Sequence, residues 1–105
     1  MDEFSVSRRR AGDTVVVAPV GEIDLATVGV VEAEIEGALR EAPALVLDLS
    51  EVTFIDSAGL RLVLETSRRA APFSVVRGPH EVQRVFGLVG LEERLDMLDE
   101  PPPAA

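Results

Sequence analysis

With 105 residues, 47% hydrophobic and 28% charged, the sequence holds material for one core, and one folded domain is expected in it, not two. Nineteen acidic against ten basic residues leave a formal net charge of -9, which opposes direct binding to nucleic-acid backbones and anionic lipid surfaces. The absence of cysteine and the single histidine remove disulfides, thiolate chemistry and Cys or His metal clusters, so neither cofactor nor metal is expected.

Phe4 and Val6 alternate with Ser5 and Ser7, a period of two that predicts a half-buried strand over residues 4–9. Arg8 to Arg10 and Ala11-Gly12-Asp13 then read as a charged hairpin turn. Thr14 to Val20, with three successive valines, is the returning strand, and Pro19 marks an edge or an irregularity in it. Gly21-Glu22-Ile23-Asp24 is expected to leave the sheet. From Thr27 the period changes. Val28, Val31, Ile35, Ala38, Leu39 and Ala42 recur at three- and four-residue steps, predicting an amphipathic helix that Pro43 stops. Gly29 and Gly37 weaken it by up to about 1 kcal/mol each relative to Ala.

Ala44 to Leu49 is a nearly continuous apolar run, the pattern of a strand covered on both faces and so of the centre of a parallel sheet. After Ser50 to Asp56 a second helix begins near Ser57, with Leu60, Val63, Leu64 and Ser67 as its stripe, and Pro72 closes it. Phe73 to Arg77 predicts a further strand and Gly78-Pro79 a turn. Val82, Val85, Phe86 and Val89 predict a third helix ending at Gly90, and Leu95 and Met97 a last short strand. The folded domain is therefore expected over residues 1–98, followed by a disordered or extended Pro/Ala tail over 99–105. No apolar stretch has signal-peptide length or the roughly 20 residues of a bilayer span, which places the expected location in the cytoplasm.

Strands alternating with helices after an initial hairpin define an α/β layer fold with helices packed on a mixed sheet. Sites in such folds gather at the carboxyl ends of strands, where Gly21–Thr27 and Val52–Gly59 fall. Within the second segment, Asp56 and Ser57 stand between a strand and a helix start. Residues of these types there cap the free backbone N–H groups, and a hydroxyl on the first turn is also a place for phosphate, held by the helix dipole and free N–H groups. One role does not exclude the other.

The block Asp48-Leu49-Ser50-Glu51-Val52-Thr53-Phe54-Ile55-Asp56-Ser57-Ala58-Gly59-Leu60 lies between Gly21-Glu22-Ile23-Asp24 upstream and Phe86-Gly87-Leu88-Val89-Gly90-Leu91 downstream. Together these resemble the STAS domain family, in particular stand-alone anti-sigma factor antagonists, over about residues 4–97. The resemblance implies a STAS-like fold and a non-enzymatic partner switch. An anti-sigma factor of the histidine-kinase-like ATPase fold, a serine kinase, would phosphorylate Ser57; the unphosphorylated chain would bind that kinase and free the sigma factor, and a serine phosphatase would reset the modified form. Asp24 would lie beside the phosphorylation loop, Asp56 would flank the acceptor, and Ala58, Gly59 and Leu60 would complete the partner-binding segment. Relatives often carry Ser or Thr where this chain has Ala58, so Ser57 is the one hydroxyl at the helix start.

Two other functions fit parts of the pattern. A STAS accessory subunit of a membrane lipid-transport system would share the fold. A receiver-like phosphoacceptor domain would use Asp56 or Asp48 with Asp24, but receiver chemistry also uses a lysine and all ten basic residues here are Arg. His80 and the Arg68-Arg69 pair read as solvated.

Overall fold

A computed structural model describes residues 3–103. Strand β1 (Ser5–Ala11) pairs antiparallel with β2 (Thr14–Ile23) through a two-residue loop, in which Gly12 takes a φ of 65°. That positive φ at the first central position is what such a hairpin loop demands, and glycine supplies it without a Cβ clash. The period of two therefore runs on through Arg8, Arg9 and Arg10. These arginines belong to β1 and not to a charged turn, because a two-residue loop leaves them paired opposite Val17, Val16 and Val15.

The remaining elements follow in order: α1 (Val28–Glu41), β3 (Ala44–Asp48), β4 (Val52–Ile55), α2 (Ser57–Ser67), β5 (Phe73–Val76), α3 (His80–Leu88) and β6 (Asp96–Leu98). The sheet runs β1-β2-β3-β5-β6, parallel from β2 onward, and β4 also pairs with β2 in parallel. Strand β2 is thus shared lengthwise. Thr14 to Val17 pair with β3, and Gly21 to Ile23 pair with β4. Pro19, which has no N–H to give, falls in the gap between these two pairings and faces only Val6 of β1. It marks an irregularity inside a central strand. Gly21, at φ 111°, sits where the register with β4 shifts.

Two expectations are corrected here. Gly21 to Ile23 stay in the sheet, and Val52 to Ile55 form a strand where none was anticipated. The second helical stripe is also rotated: Gly59, Leu62, Val63 and Thr66 are the buried residues of α2, while Leu60 and Leu64 are half-buried at its margin.

All three helices pack on one face of the sheet. Val15, Val17, Leu45, Leu47 and Val75 share a core there with Val31 and Ile35 of α1, Leu62 and Val63 of α2, and Val82 and Phe86 of α3. The alternate residues Val16, Val46 and Val76 form a separate small layer on the opposite face, with Ala11 and Leu98 against it. Of the segment expected to be a disordered or extended tail, Asp99 accepts from Arg77 at 2.7 Å and the Pro102 carbonyl from Arg9 at 2.6 Å; Ala104 and Ala105 lie outside the described residues. Among the described residues no helix is long and apolar enough to cross a membrane.

Candidate functional site

The carboxyl ends of β2 and β4 lie side by side, because Ile23 is in register with Ile55 and the Asp56 amide donates to the Ile23 carbonyl at 3.2 Å. The two segments singled out in the sequence are brought together by that pairing. After β2, Asp24 folds the chain back on itself: its Oδ1 accepts from the amides of Ala26 at 2.9 Å and Thr27 at 3.1 Å. The Thr27 hydroxyl accepts from the Asp24 amide and donates to the Glu22 carbonyl at 2.7 Å. Such side-chain bonds to neighbouring backbone fix a turn without regular structure. Its outward residue is Leu25, 82% exposed.

After β4, Asp56 takes the extended conformation of an N-cap, and its Oδ1 accepts from Ala58 at 2.9 Å and Gly59 at 3.2 Å. These bonds satisfy two of the donors that a helix start leaves open. Gly59 is buried, and a Cβ placed on it would meet Ile55 Cγ1 at 2.5 Å and Ile23 Cγ2 at 2.9 Å. The helix start therefore sits directly on the ends of both strands, a contact only glycine permits. Gly59 positions the loop from beneath.

Ser57, the first residue of α2, is exposed, and among the described residues its hydroxyl makes no side-chain hydrogen bond. Of the amides expected to hold a phosphate there, those of Ala58, Gly59 and Leu60 are taken, and the Ser57 amide has no partner among the described residues. Asp56 occupies Ala58 and Gly59, and Leu60 donates to the Asp56 carbonyl at 3.0 Å. A phosphate on Ser57 would stand on the surface beside the Asp56 carboxylate, with the Ala58 and Gly59 amides already occupied.

Grooves of about 330 and 310 Å³ flank this serine. The first, between α1 and α2, includes Leu25, Val28, Ala58 and Glu32; the second, between α2 and the end of α3, includes Leu60, Leu64, Val89 and Arg94. Ser57 and Arg61 line both and form the ridge between them. Val89 of the second groove is 54% exposed, its chain neighbour Leu88 is 75% exposed, and Phe54 is half exposed three residues before Ser57. Contiguous exposed apolar side chains rimmed by polar ones are what a protein-docking surface presents.

Of the sequence candidates, Ser57, Ala58 and Leu60 face this surface, whereas Asp24, Asp56 and Gly59 hold it in place. Asp48 is engaged locally, accepting from the Ser50 amide at 3.0 Å, and among the described residues no acidic or histidine group gathers that could hold a metal ion. His80 is exposed at the start of α3. Arg69 is more than a solvated end: its two Nη atoms donate to both Glu36 oxygens at 3.0 and 2.8 Å, joining the region after α2 to α1. Leu25, Phe54, Arg61, Leu88, Val89 and Arg94 were not anticipated. An isolated apolar residue in a predicted turn, as Leu25 is, was the one signal available for them.

A family model described as "Mlab, STAS domain" matches residues 6–99. The anti-sigma-F factor antagonist RsfB of Mycobacterium tuberculosis is 33% identical over 96 residues, covering 88% of this chain and 79% of that protein. The crystal structure of an anti-sigma factor antagonist from Mycobacterium paratuberculosis superposes with a TM-score of 0.84 at 31% identity, over 93% of this chain and 87% of the other. The Bacillus cell fate determinant SpoIIAA in its phosphorylated form shares the fold, with a TM-score of 0.67 at 23% identity over 93% of each chain.

Proposed function

The chain belongs to the STAS domain family, among its anti-sigma factor antagonists, and from that premise we propose that it is switched by phosphate on Ser57. In the unphosphorylated state it docks on an anti-sigma factor that is also a serine kinase, and the sigma factor is released. Phosphorylation by the docked kinase ends the complex, and a serine phosphatase restores the binding form. Ser57 is a substrate and not a nucleophile, and the exchange takes place in the cytoplasm.

The observation that carries this reading is the exposed Ser57 on a ridge between a mixed groove, lined by Leu25, Val28, Glu32 and Glu65, and a more apolar one, with the Ala58 and Gly59 amides already occupied by Asp56. Phosphate adds about -1.5 to -2 charges and three strong acceptors. With the Ala58 and Gly59 amides already bound to Asp56, most of that charge must stay solvated, and docking a partner face over it would incur desolvation and repulsion from Asp56. Only a few kcal/mol are needed, since every ~1.4 kcal/mol is tenfold in affinity. The fold itself need not change.

The test is to incubate the protein with ATP and anti-sigma kinases from the same source and to locate phosphate by peptide mass spectrometry. Acid-stable phosphate on Ser57, absent in Ser57→Ala, is the expected result, with Ser57→Ala retaining the partner and Ser57→Asp binding at least tenfold more weakly. A kinase that binds tightly but leaves Ser57 unmodified would overturn the switch. Stable co-purification with a membrane transporter and with no kinase would instead support the accessory-subunit reading.

A further inference from the structure

The face of the sheet opposite the helices is not bare. Val16, Val46 and Val76 are 1%, 6% and 0% exposed, yet no helix residue belongs to their cluster. Arg9 lies directly opposite Val16 in the β1–β2 pairing, so its side chain shares that face, whereas Arg8 and Arg10 point to the helix side and pair with Glu34 and Glu41 of α1. The Arg9 guanidinium donates to the carbonyl of Pro102 at 2.6 Å. Pro102 follows β6, at the opposite edge of the sheet.

Chain length leaves one route for this contact. From β6 to β1 is four strand spacings, roughly 19 Å at about 4.8 Å each. Four residues from Leu98 to Pro102 reach at most about 14 Å, and the long Arg9 side chain covers the remainder. The segment must cross the sheet nearly straight, over β5, β3 and β2, which carry Val76, Val46 and Val16. Its start is fixed by the Arg77 amide donating to the Leu98 carbonyl at 2.9 Å and by the Arg77–Asp99 ion pair at 2.7 Å. Pro101 and Pro102 are half-buried, and successive prolines hold the chain extended at little further entropic cost.

We propose that the helix-free face of the sheet is a binding surface for an extended proline-rich segment, occupied in cis by residues 99–103, which act as a strap sealing the second apolar layer. Arg77 and Arg9 are its two fastenings. The strap lies on the other side of the sheet from Ser57, so releasing it leaves partner docking and phosphorylation untouched.

The double variant Arg9→Ala/Asp99→Ala removes the side-chain fastening at each end and leaves the Arg77 amide–Leu98 carbonyl bond that ends β6. Methyl NMR should then show shifts at Val16, Val46 and Val76, with Val15, Val17 and Val31 on the helix side unmoved, and binding of a hydrophobic dye should rise several-fold over wild type. Arg9→Lys, which keeps a donor on that face, should shift these methyls less than Arg9→Ala. Unchanged Val16, Val46 and Val76 methyls with wild-type dye binding in the double variant would overturn the proposal, as would shifts spread equally over both faces.

Discussion

Replacing Asp56 separates two contributions to the start of α2. Its Oδ1 accepts from Ala58 at 2.9 Å and Gly59 at 3.2 Å, and its charge lies at the positive end of the helix dipole. Asp56→Asn keeps an oxygen in the same place and removes only the charge, which at such positions contributes about 0.3–1 kcal/mol. Asp56→Ala removes both, and losing an N-cap costs about 0.5–2 kcal/mol. Taking about 0.5 kcal/mol for Asn and about 1.5 for Ala, and about 4–8 °C of Tm per kcal/mol for a domain near this size, the expected falls are about 2–4 °C and about 6–12 °C.

Thermal melts of the three proteins at low and high salt read both terms. The Asn deficit should shrink as salt screens the dipole, while most of the Ala deficit should persist, because a hydrogen bond of fixed geometry is little affected by ionic strength. Equal losses in the two variants would refute the capping argument and leave only charge. An Asp56→Ala protein as stable as wild type would refute both, and with them the claim that the carboxylate holds Ser57 in place.

Gly59→Ala should destabilise by up to about 2 kcal/mol in urea melts, since overpacking against Ile55 and Ile23 costs about 1–3 kcal/mol and better helix propensity returns about 1. Gly29→Ala, where a Cβ meets nothing within 4 Å, should instead gain a few tenths of a kcal/mol; matching signs for the two would sink the distinction. The Arg69 guanidinium holds the Glu36 carboxyl below its ordinary range by direct hydrogen bonds and charge. That contribution is present above the ordinary glutamate range and is lost as pH falls through the folded value, so the Tm gap between wild type and Glu36→Gln should exist at neutral pH and close in acid. Leu25→Ser and Leu88→Ser should leave Tm within a degree or two yet weaken binding to the anti-sigma partner, measurable by titration calorimetry; unchanged affinity in both would remove the two grooves from the interface.

Elements whose apolar spacing is uninterrupted were legible before any coordinates. Val31, Ile35 and Ala38 fall where a period of 3.6 puts them, and Ala44 to Leu47 are buried on both sides as their unbroken apolar run requires. Strand β4 was not legible, because only Val52 and Ile55 of its four residues face inward, a spacing of three that imitates a helix and hides a strand. The stripe of α2 was misplaced for a related reason. Gly59 carries no hydrophobic side chain, yet it is the residue in closest contact with the strand ends, and without counting it the periodicity centres one position too far round. The aspartate–serine pair was legible as chemistry but not as geometry. That Asp56 uses up the Ala58 and Gly59 amides follows from one rotamer, which composition and spacing do not encode.

That rotamer bears on how a small modification could act at a distance from the core. Were the helix start uncapped, a phosphate on Ser57 would recruit the free amides, gain charge-assisted bonds and stabilise α2, so the modified surface would be rearranged and partly neutralised. With Asp56 already seated on the Ala58 and Gly59 amides, the phosphate is left with the Ser57 amide alone and adds its charge beside a carboxylate. The neighbouring chain is meanwhile pinned by Gly59 against Ile23 and Ile55 and by Asp24 within its own turn. Local refolding is therefore a poor outlet for the repulsion, and its effect should fall on whatever covers the ridge. Crystal or NMR structures of the phosphorylated protein should accordingly show α2 and the Asp24 turn unmoved; a displaced first turn of α2, with Ala58 or Gly59 donating to phosphate in place of Asp56, would refute this account of the switch.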